Sequence, residues 1–174
     1  MAVTTPDWRH RILGDWGSFA HGHQREPVLA ANGKPWTTWL MLGGRGAGKT
    51  RAGAEWVRAQ ALADPNARIA LVGETEHDVR EVMIEGVSGL LPVHAPHERP
   101  RWIPTRARLE WGNGAVAQAF SADVPDSLRG PQFSHAWLDE LAKWKSADEA
   151  APINRWRSPR APLDDFAAFS GFSS

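Results

Sequence analysis

The chain has 174 residues and 20 Lys plus Arg against 20 Asp plus Glu, a length that holds one α/β domain with a real core and is short for two. A net charge of zero excludes a global basic footprint for nucleic acid, so any such contact is local or comes from other subunits, and the absence of cysteine excludes disulfides and thiolate metal sites. No apolar stretch approaches the roughly 20 residues that cross a bilayer and the N-terminus lacks a signal-peptide core, so the expectation is a cytosolic protein with no membrane partner.

Residues 1–36 read as an irregular first segment in which Gly, His and Pro recur. Gln24 is its candidate for a nucleotide contact. Thr37-Thr38-Trp39-Leu40-Met41-Leu42 is a β-rich apolar run, and Thr50 to Leu62 is an Ala-rich helix former. Between them stands Gly43-Gly44-Arg45-Gly46-Ala47-Gly48-Lys49-Thr50, the pattern of a phosphate-cradling loop. Glycines let such a loop curl so that its amides point at phosphates. Lys49 can reach the β and γ oxygens, and the Thr50 hydroxyl can ligate Mg²⁺. The helix that follows aims its positive end at the same anion. Strand, loop and helix in this order point to a nucleoside triphosphate; Arg45 reads either as a group acting on the γ-phosphate or as a solvated loop charge.

Arg68 to Gly73 is a short buried strand of the parallel kind. Thr75 offers an N-cap for a helix running to Pro92, with Val79, Val82, Met83, Val87, Leu90 and Leu91 near one face. Two βα units in succession indicate a parallel sheet. After a Pro-rich connection, Arg108 to Trp111 and Ala115 to Phe120 flank Gly112-Asn113-Gly114 and read as a hairpin.

Ser134 to Leu138 is a short apolar run that ends in Asp139-Glu140. A carboxylate at the end of a buried strand can support Mg²⁺, and a second one just beyond it can polarise the attacking water. The alternative is that the two acids cap a following helix at Leu141 to Trp144. Glu140 favours an ATPase over a small GTPase or nucleotide kinase, and no Asn-Lys-x-Asp motif for reading guanine is present. The ten tryptophans are scattered and read as core packing rather than as a stacking platform for bases.

Four ordered motifs, the loop through Trp56, Leu71 to Thr75, Ser127 to Phe133 and Ala136 to Trp144, resemble the large terminase subunit of tailed bacteriophages and phage-derived gene transfer agents. The likeness runs from about Trp36 to Glu149. It implies an α/β P-loop NTPase fold, a mainly parallel sheet flanked by helices, of the additional-strand catalytic-glutamate type. The implied function is ATP hydrolysis that drives packaging of double-stranded DNA into a procapsid, with a portal protein, a small terminase subunit and a homo-oligomeric ring as partners. Under the resemblance Gly43 to Thr50 would hold ATP, with Thr50 and Asp139 on Mg²⁺ and Glu140 activating water. Arg45 would act in cis, Arg129 would reach a neighbouring subunit's ATP, and Gln24 would lie on the adenine side.

The segments expected are 1–36, an ATPase core at 37–150 and a tail at 151–174. That tail, rich in Pro, Arg, Ser and Ala, shows no helix or strand period and reads as a frame-shifted or truncated end, leaving the sheet C-terminally incomplete with an exposed edge. The alternative function is a non-catalytic remnant or nucleotide-binding interaction module without coupled hydrolysis; a small-molecule kinase lacks a visible acceptor or lid signature.

Overall fold

The computed structural model describes residues 15–128, 132–145 and 167–172, the last six by backbone alone. A short helix α1 (Trp16–Phe19) precedes β1 (Thr38–Leu42), α2 (Lys49–Ala63) and β2 (Arg68–Gly73). One helical turn, α3 (Glu76–Asp78), runs on into a π-helical stretch at Val79–Ile84, followed by α4 (Leu90–Val93). The remaining strands are β3 (Arg101–Ile103), β4 (Arg108–Glu110), β5 (Val116–Ser121), β6 (His135–Asp139) and β7 (Ala167–Phe172).

The seven strands among the described residues form one sheet in the order β1-β7-β6-β2-β5-β4-β3. The first five of that order are parallel, and β4 and β3 add an antiparallel flank. Strand alternation sends Trp39, Met41, Ile69, Leu71, Ala117 and Trp137 to the face covered by α2, where they form the larger core with Trp56, Val57, Met83 and Leu90. Ala70, Val72, Phe120, Ala136 and Leu138 build a smaller core on the opposite face with Leu128, Phe133 and Trp144. Leu40 and Leu42 lie on that second face at the β1 edge and are exposed. Helix α2 packs close at the small buried residues Ala52, Gly53, Ala54 and Ala61, and sends Trp56 and Val57 into the core. Pro65 follows its extended C-cap Asp64, a pairing that stops a helix.

The structure corrects several expectations. The tail is not without regular structure: Ala167–Phe172 is an interior strand paired on both sides, with β1 and with β6. Pairing on two sides makes a strand of a sequence, Ala-Ala-Phe-Ser-Gly-Phe, with little β propensity of its own. The helix expected from Thr75 to Pro92 is broken. An i+5 bond from Glu85 N to Arg80 O at 2.8 Å winds it into a π-helical turn, and Gly86 and Gly89 have no room for a Cβ beside backbone carbonyls. Val82 and Val87 are consequently exposed, whereas Val79, Met83 and Leu90 are buried as expected. The expected hairpin is present as β4 and β5, and β3 emerges from the Pro-rich connection. The helix that the alternative reading of Asp139-Glu140 required at Leu141 to Trp144 is one 3₁₀ turn, Leu141–Lys143. Trp39, Trp56, Trp111, Trp137 and Trp144 are buried, which fits the packing role. No helix among the described residues is long and apolar enough to cross a membrane.

Candidate nucleotide site

The loop after β1 turns through two left-handed glycines, Gly46 at φ 84° and Gly48 at φ 77°. Gly48 is also the N-cap of α2, so the loop delivers its amides to the positive end of a 15-residue helix. Lys49 is 6% exposed, and its ammonium donates to the carbonyl oxygens of Gly43 at 2.7 Å and Gly44 at 3.0 Å. The charge is therefore held inside the loop, where phosphate oxygens converge in sites of this type.

The described residues of the first segment dock on this loop and on α2. Gln24 donates from Nε2 to Ala47 O at 3.0 Å and accepts at Oε1 from His21 N at 2.9 Å. The Arg51 guanidinium lies 5.8 Å from the Trp16 ring centroid, and Gln60 donates to Glu26 at 3.3 Å. Trp36 packs on Trp56 with ring centroids 6.3 Å apart.

Asp139 ends β6 and is 7% exposed, with its carbonyl oxygen accepting from Trp144 Nε1 at 3.1 Å. Glu140 follows in a left-handed conformation, φ 52°, a non-glycine outlier that turns the chain sharply at the sheet's C-terminal edge. The Glu140 side chain pairs with Lys143 at 3.2 Å and makes no cap hydrogen bond to the 3₁₀ turn it precedes. Burial, and the Glu140 charge beside it, push the Asp139 carboxyl up to about 6, against the opposing pull of Lys49 and Lys143.

Two adjoining cavities lie around these groups. One, of 480 Å³, is lined by Arg45, Thr50, Glu74, Asp78, Asp139 and Glu140 among others. The other, of 540 Å³, is lined by Arg45 to Arg51, Glu81, Val82, Val87 and Glu140. Arg45, Thr50, Val82 and Glu140 belong to both, so they form two lobes of one cleft of a size suited to a small ligand. The structure thus brings together Arg45, Lys49, Thr50, Asp139 and Glu140, with Gln24 bonded to the loop from outside. Arg129 lies outside the described residues.

Sequence reasoning missed Glu74, Asp78, Glu81 and Lys143 as lining groups. The available signal was Thr75, whose hydroxyl accepts from Asp78 N while the Asp78 carboxylate accepts from Thr75 N, a reciprocal cap that fixes the wall opposite Thr50. The donor chemistry suits a hard cation such as Mg²⁺. Thr50 offers a hydroxyl and Asp139 a buried carboxylate whose crowding by Glu140 a cation would relieve. No group of three or more His, Cys, Asp or Glu that could hold a metal occurs among the described residues, so phosphate oxygens and water would complete the coordination.

No curated protein matches the chain. Among solved structures, the ATPase domain of the large terminase of Thermus phage P74-26 superposes with a TM-score of 0.61 at 18% identity, covering 96% of this chain and 68% of that one. A large terminase from a thermophilic bacteriophage superposes with a TM-score of 0.61 at 14% identity, covering 94% of this chain and 38% of that one. The same protein in complex with ADP gives a TM-score of 0.56 at 14% identity. The chain thus spans about two thirds of the first of these and well under half of the second. A family model described as terminase large subunit, T4likevirus-type, N-terminal matches residues 40–165, most of the chain including every residue that lines the cleft. The chain belongs to the terminase large-subunit family, matching its T4likevirus-type N-terminal part.

Proposed function

We propose that this chain binds Mg·ATP in the cleft and hydrolyses it as the nucleotide engine of a motor that packages double-stranded DNA. The observation that carries the reading is the arrangement of Lys49 and Thr50 at the mouth of α2 facing Asp139 and Glu140 at the end of β6, around one cleft. The ADP complex of a structural neighbour at 14% identity supports nucleotide as the ligand.

In this reading the loop amides and Lys49 bind the β and γ oxygens and stabilise the charge that develops on them. Glu140 orients the attacking water and takes its proton, for which it must share or leave the Lys143 ammonium. Arg45, exposed at the cleft mouth, adds positive charge at the γ-phosphate in cis, and Arg129 does so toward a neighbouring subunit. Thr50 and Asp139 would hold Mg²⁺, which would neutralise phosphate charge when bound. Gln24 fixes the loop and lies on the adenine side. Duplex DNA, a portal, a small subunit and further copies of the chain in a ring are the partners of such a motor.

Calorimetric titration with Mg·ATP, run beside a phosphate-release assay, tests this. Lys49→Ala is expected to lose binding, and Glu140→Gln to keep affinity while losing turnover by about a hundredfold or more. Binding without turnover in the parent chain would establish the non-catalytic nucleotide-binding reading instead. A folded parent that does not bind Mg·ATP overturns both.

A further inference from the structure

The sheet face turned away from α2 changes character toward the β3 edge. Cross-strand register sets Arg68 of β2, Val116 of β5, Glu110 of β4 and Arg101 of β3 in one row, and Gln118 and Arg108 in the next. The opposite side of the same strands carries Leu109, Ala117 and Trp102 into the core, so alternation fixes the arginines on the outer face. Arg99 and Arg106, just outside β3 and β4, are exposed, and the Arg101 side chain is 75% exposed.

This concentration of charge is local. Residues 99–110 contain Arg99, Arg101, Arg106 and Arg108 against the single acid Glu110, in a chain whose net charge is zero. Glu110 is shared between Arg101 at 3.0 Å and Arg108 at 3.2 Å. Glu98, the next acid upstream, is taken by Arg58 of α2 at 2.7 Å. The Arg101 guanidinium, with Arg108 and Arg106 nearby, holds the Glu110 carboxyl below the usual carboxylate range, as expected in a positive field.

Charge on an edge strand also guards against unwanted strand pairing, but that purpose needs one or two charges facing the edge. Here they extend inward to Arg68, three strands away, a span of about 14 Å at the usual strand spacing. Guanidinium groups suit phosphate oxygens, and duplex DNA presents one phosphate charge per about 1.7 Å of axis, so such a span meets several.

We propose that the face formed by Arg68, Arg101 and Arg108, with the exposed Arg99 and Arg106 beside it in the chain, is a contact surface for the phosphate backbone of double-stranded nucleic acid. The assignment rests on the reading of the chain as part of a DNA motor, and adds where that motor holds its track. The contact is independent of base sequence. With three or four phosphates engaged, affinity falls on the order of a hundredfold between 50 and 200 mM salt.

The test is fluorescence anisotropy with a labelled 30-bp duplex across a salt series, on the parent and on the triple variant Arg99→Ala, Arg101→Ala, Arg106→Ala, with Mg·ATP affinity measured on both. All three positions are exposed, and circular dichroism checks the fold. The expected result is duplex binding about tenfold or more weaker, with a log–log salt slope shallower by about two to three units and Mg·ATP affinity unchanged. An unchanged slope and affinity in the triple variant overturns the proposal, as does a parent that binds Mg·ATP yet no duplex at 50 mM salt. Poly-glutamate binding as tightly as the duplex, with the same dependence on the three arginines, would reassign the face to an acidic protein and overturn it too. Arginine-dependent duplex binding by a folded chain that takes no Mg·ATP would sustain this surface and sink the hydrolytic reading instead.

Discussion

Gln24 ties the first segment to the phosphate loop: its Nε2 donates to Ala47 O at 3.0 Å while its Oε1 is fixed by His21 N at 2.9 Å. Both ends of the amide are used, so the side chain acts as a strut. Gly48 next to Ala47 takes φ 77°, and a Cβ there would collide with the Gln24 amide, so the loop's shape and the strut require each other. Gln24→Ala is expected to weaken Mg·ATP binding about three- to tenfold while costing about 1 kcal/mol or less of stability, the range of one partly buried hydrogen bond. Titration calorimetry beside thermal denaturation measures both. Parental affinity in the variant would show that the loop keeps its shape unaided.

At Gly53, α2 lies directly against the Trp137 ring of β6. A methyl group there would stand 2.6 Å from Nε1 and 2.7 Å from Cζ2 of Trp137, which is fully buried and has no space to retreat. In an isolated helix Gly→Ala gains about 1 kcal/mol. Here overpacking outweighs it, and Gly53→Ala is expected to lose about 1–3 kcal/mol and lower the melting temperature by about 3–10 °C. A melting temperature at or above the parent's would show that β6 can shift. Because Trp137 lies two residues before Asp139, the same variant should also bind Mg·ATP more weakly.

The parts of the cleft made by contiguous residues were legible in the sequence. Gly43 to Thr50 between an apolar strand and an Ala-rich helix admits few structures, and an apolar run that ends in Asp139-Glu140 marks a strand end at the sheet's rim. What remained hidden depends on contacts far apart in the chain. The Gln24 strut spans 23 positions with no periodic pattern around it. Ala167–Phe172 becomes a strand only because β1 and β6 pair with it. Arg101–Ile103 lies between prolines and is defined by its pairing with β4. The helical pattern after Thr75 failed for a local reason, since an i+5 turn shifts all later residues round the axis and carries Val87 out to solvent. Glu74 and Asp78 reach the cleft because β2 ends beside β6, an adjacency that spacing along the chain does not encode.

Lys143 restrains the proposed base. Its ammonium is 3.2 Å from a Glu140 oxygen, so the ion pair engages the carboxylate that would otherwise turn toward the attacking water. The lysine side chain is 61% exposed, so the pair is worth about 1 kcal/mol at most. Lys143→Ala is expected to raise phosphate release about two- to fivefold with Mg·ATP affinity nearly unchanged. In a Glu140→Gln background the same substitution should do nothing further, because the two residues act as one unit. A turnover change of equal size in both backgrounds would place the effect of Lys143 elsewhere in the cleft.

His94 gives the fold a pH dependence separate from the cleft. Trp111 Nε1 can only donate, so its 2.9 Å bond makes His94 Nε2 the acceptor and leaves the proton on Nδ1, which donates to Leu90 O at 2.6 Å. Protonating Nε2 would break the Trp111 bond and bury a charge. Burial accordingly lowers the His94 pKa from 6.5 to about 4, with Arg58 and Arg99 pushing the same way and Leu90 O and Glu98 opposing. Between those two values the unfolded chain binds a proton that the folded chain refuses, so this contribution to stability falls as pH drops from 6.5 and is lost near 4. The full loss is about 3 kcal/mol. Burial raises the carboxyls of Asp139 and Glu55, which titrate with the opposite sign, so the informative quantity is the difference between the parent and His94→Gln. Urea unfolding at pH 7 and pH 4.5 should show the parent losing more stability than the variant over that interval, by about 2 kcal/mol or more. Parallel losses in the two proteins would mean that His94 is protonated within the native fold.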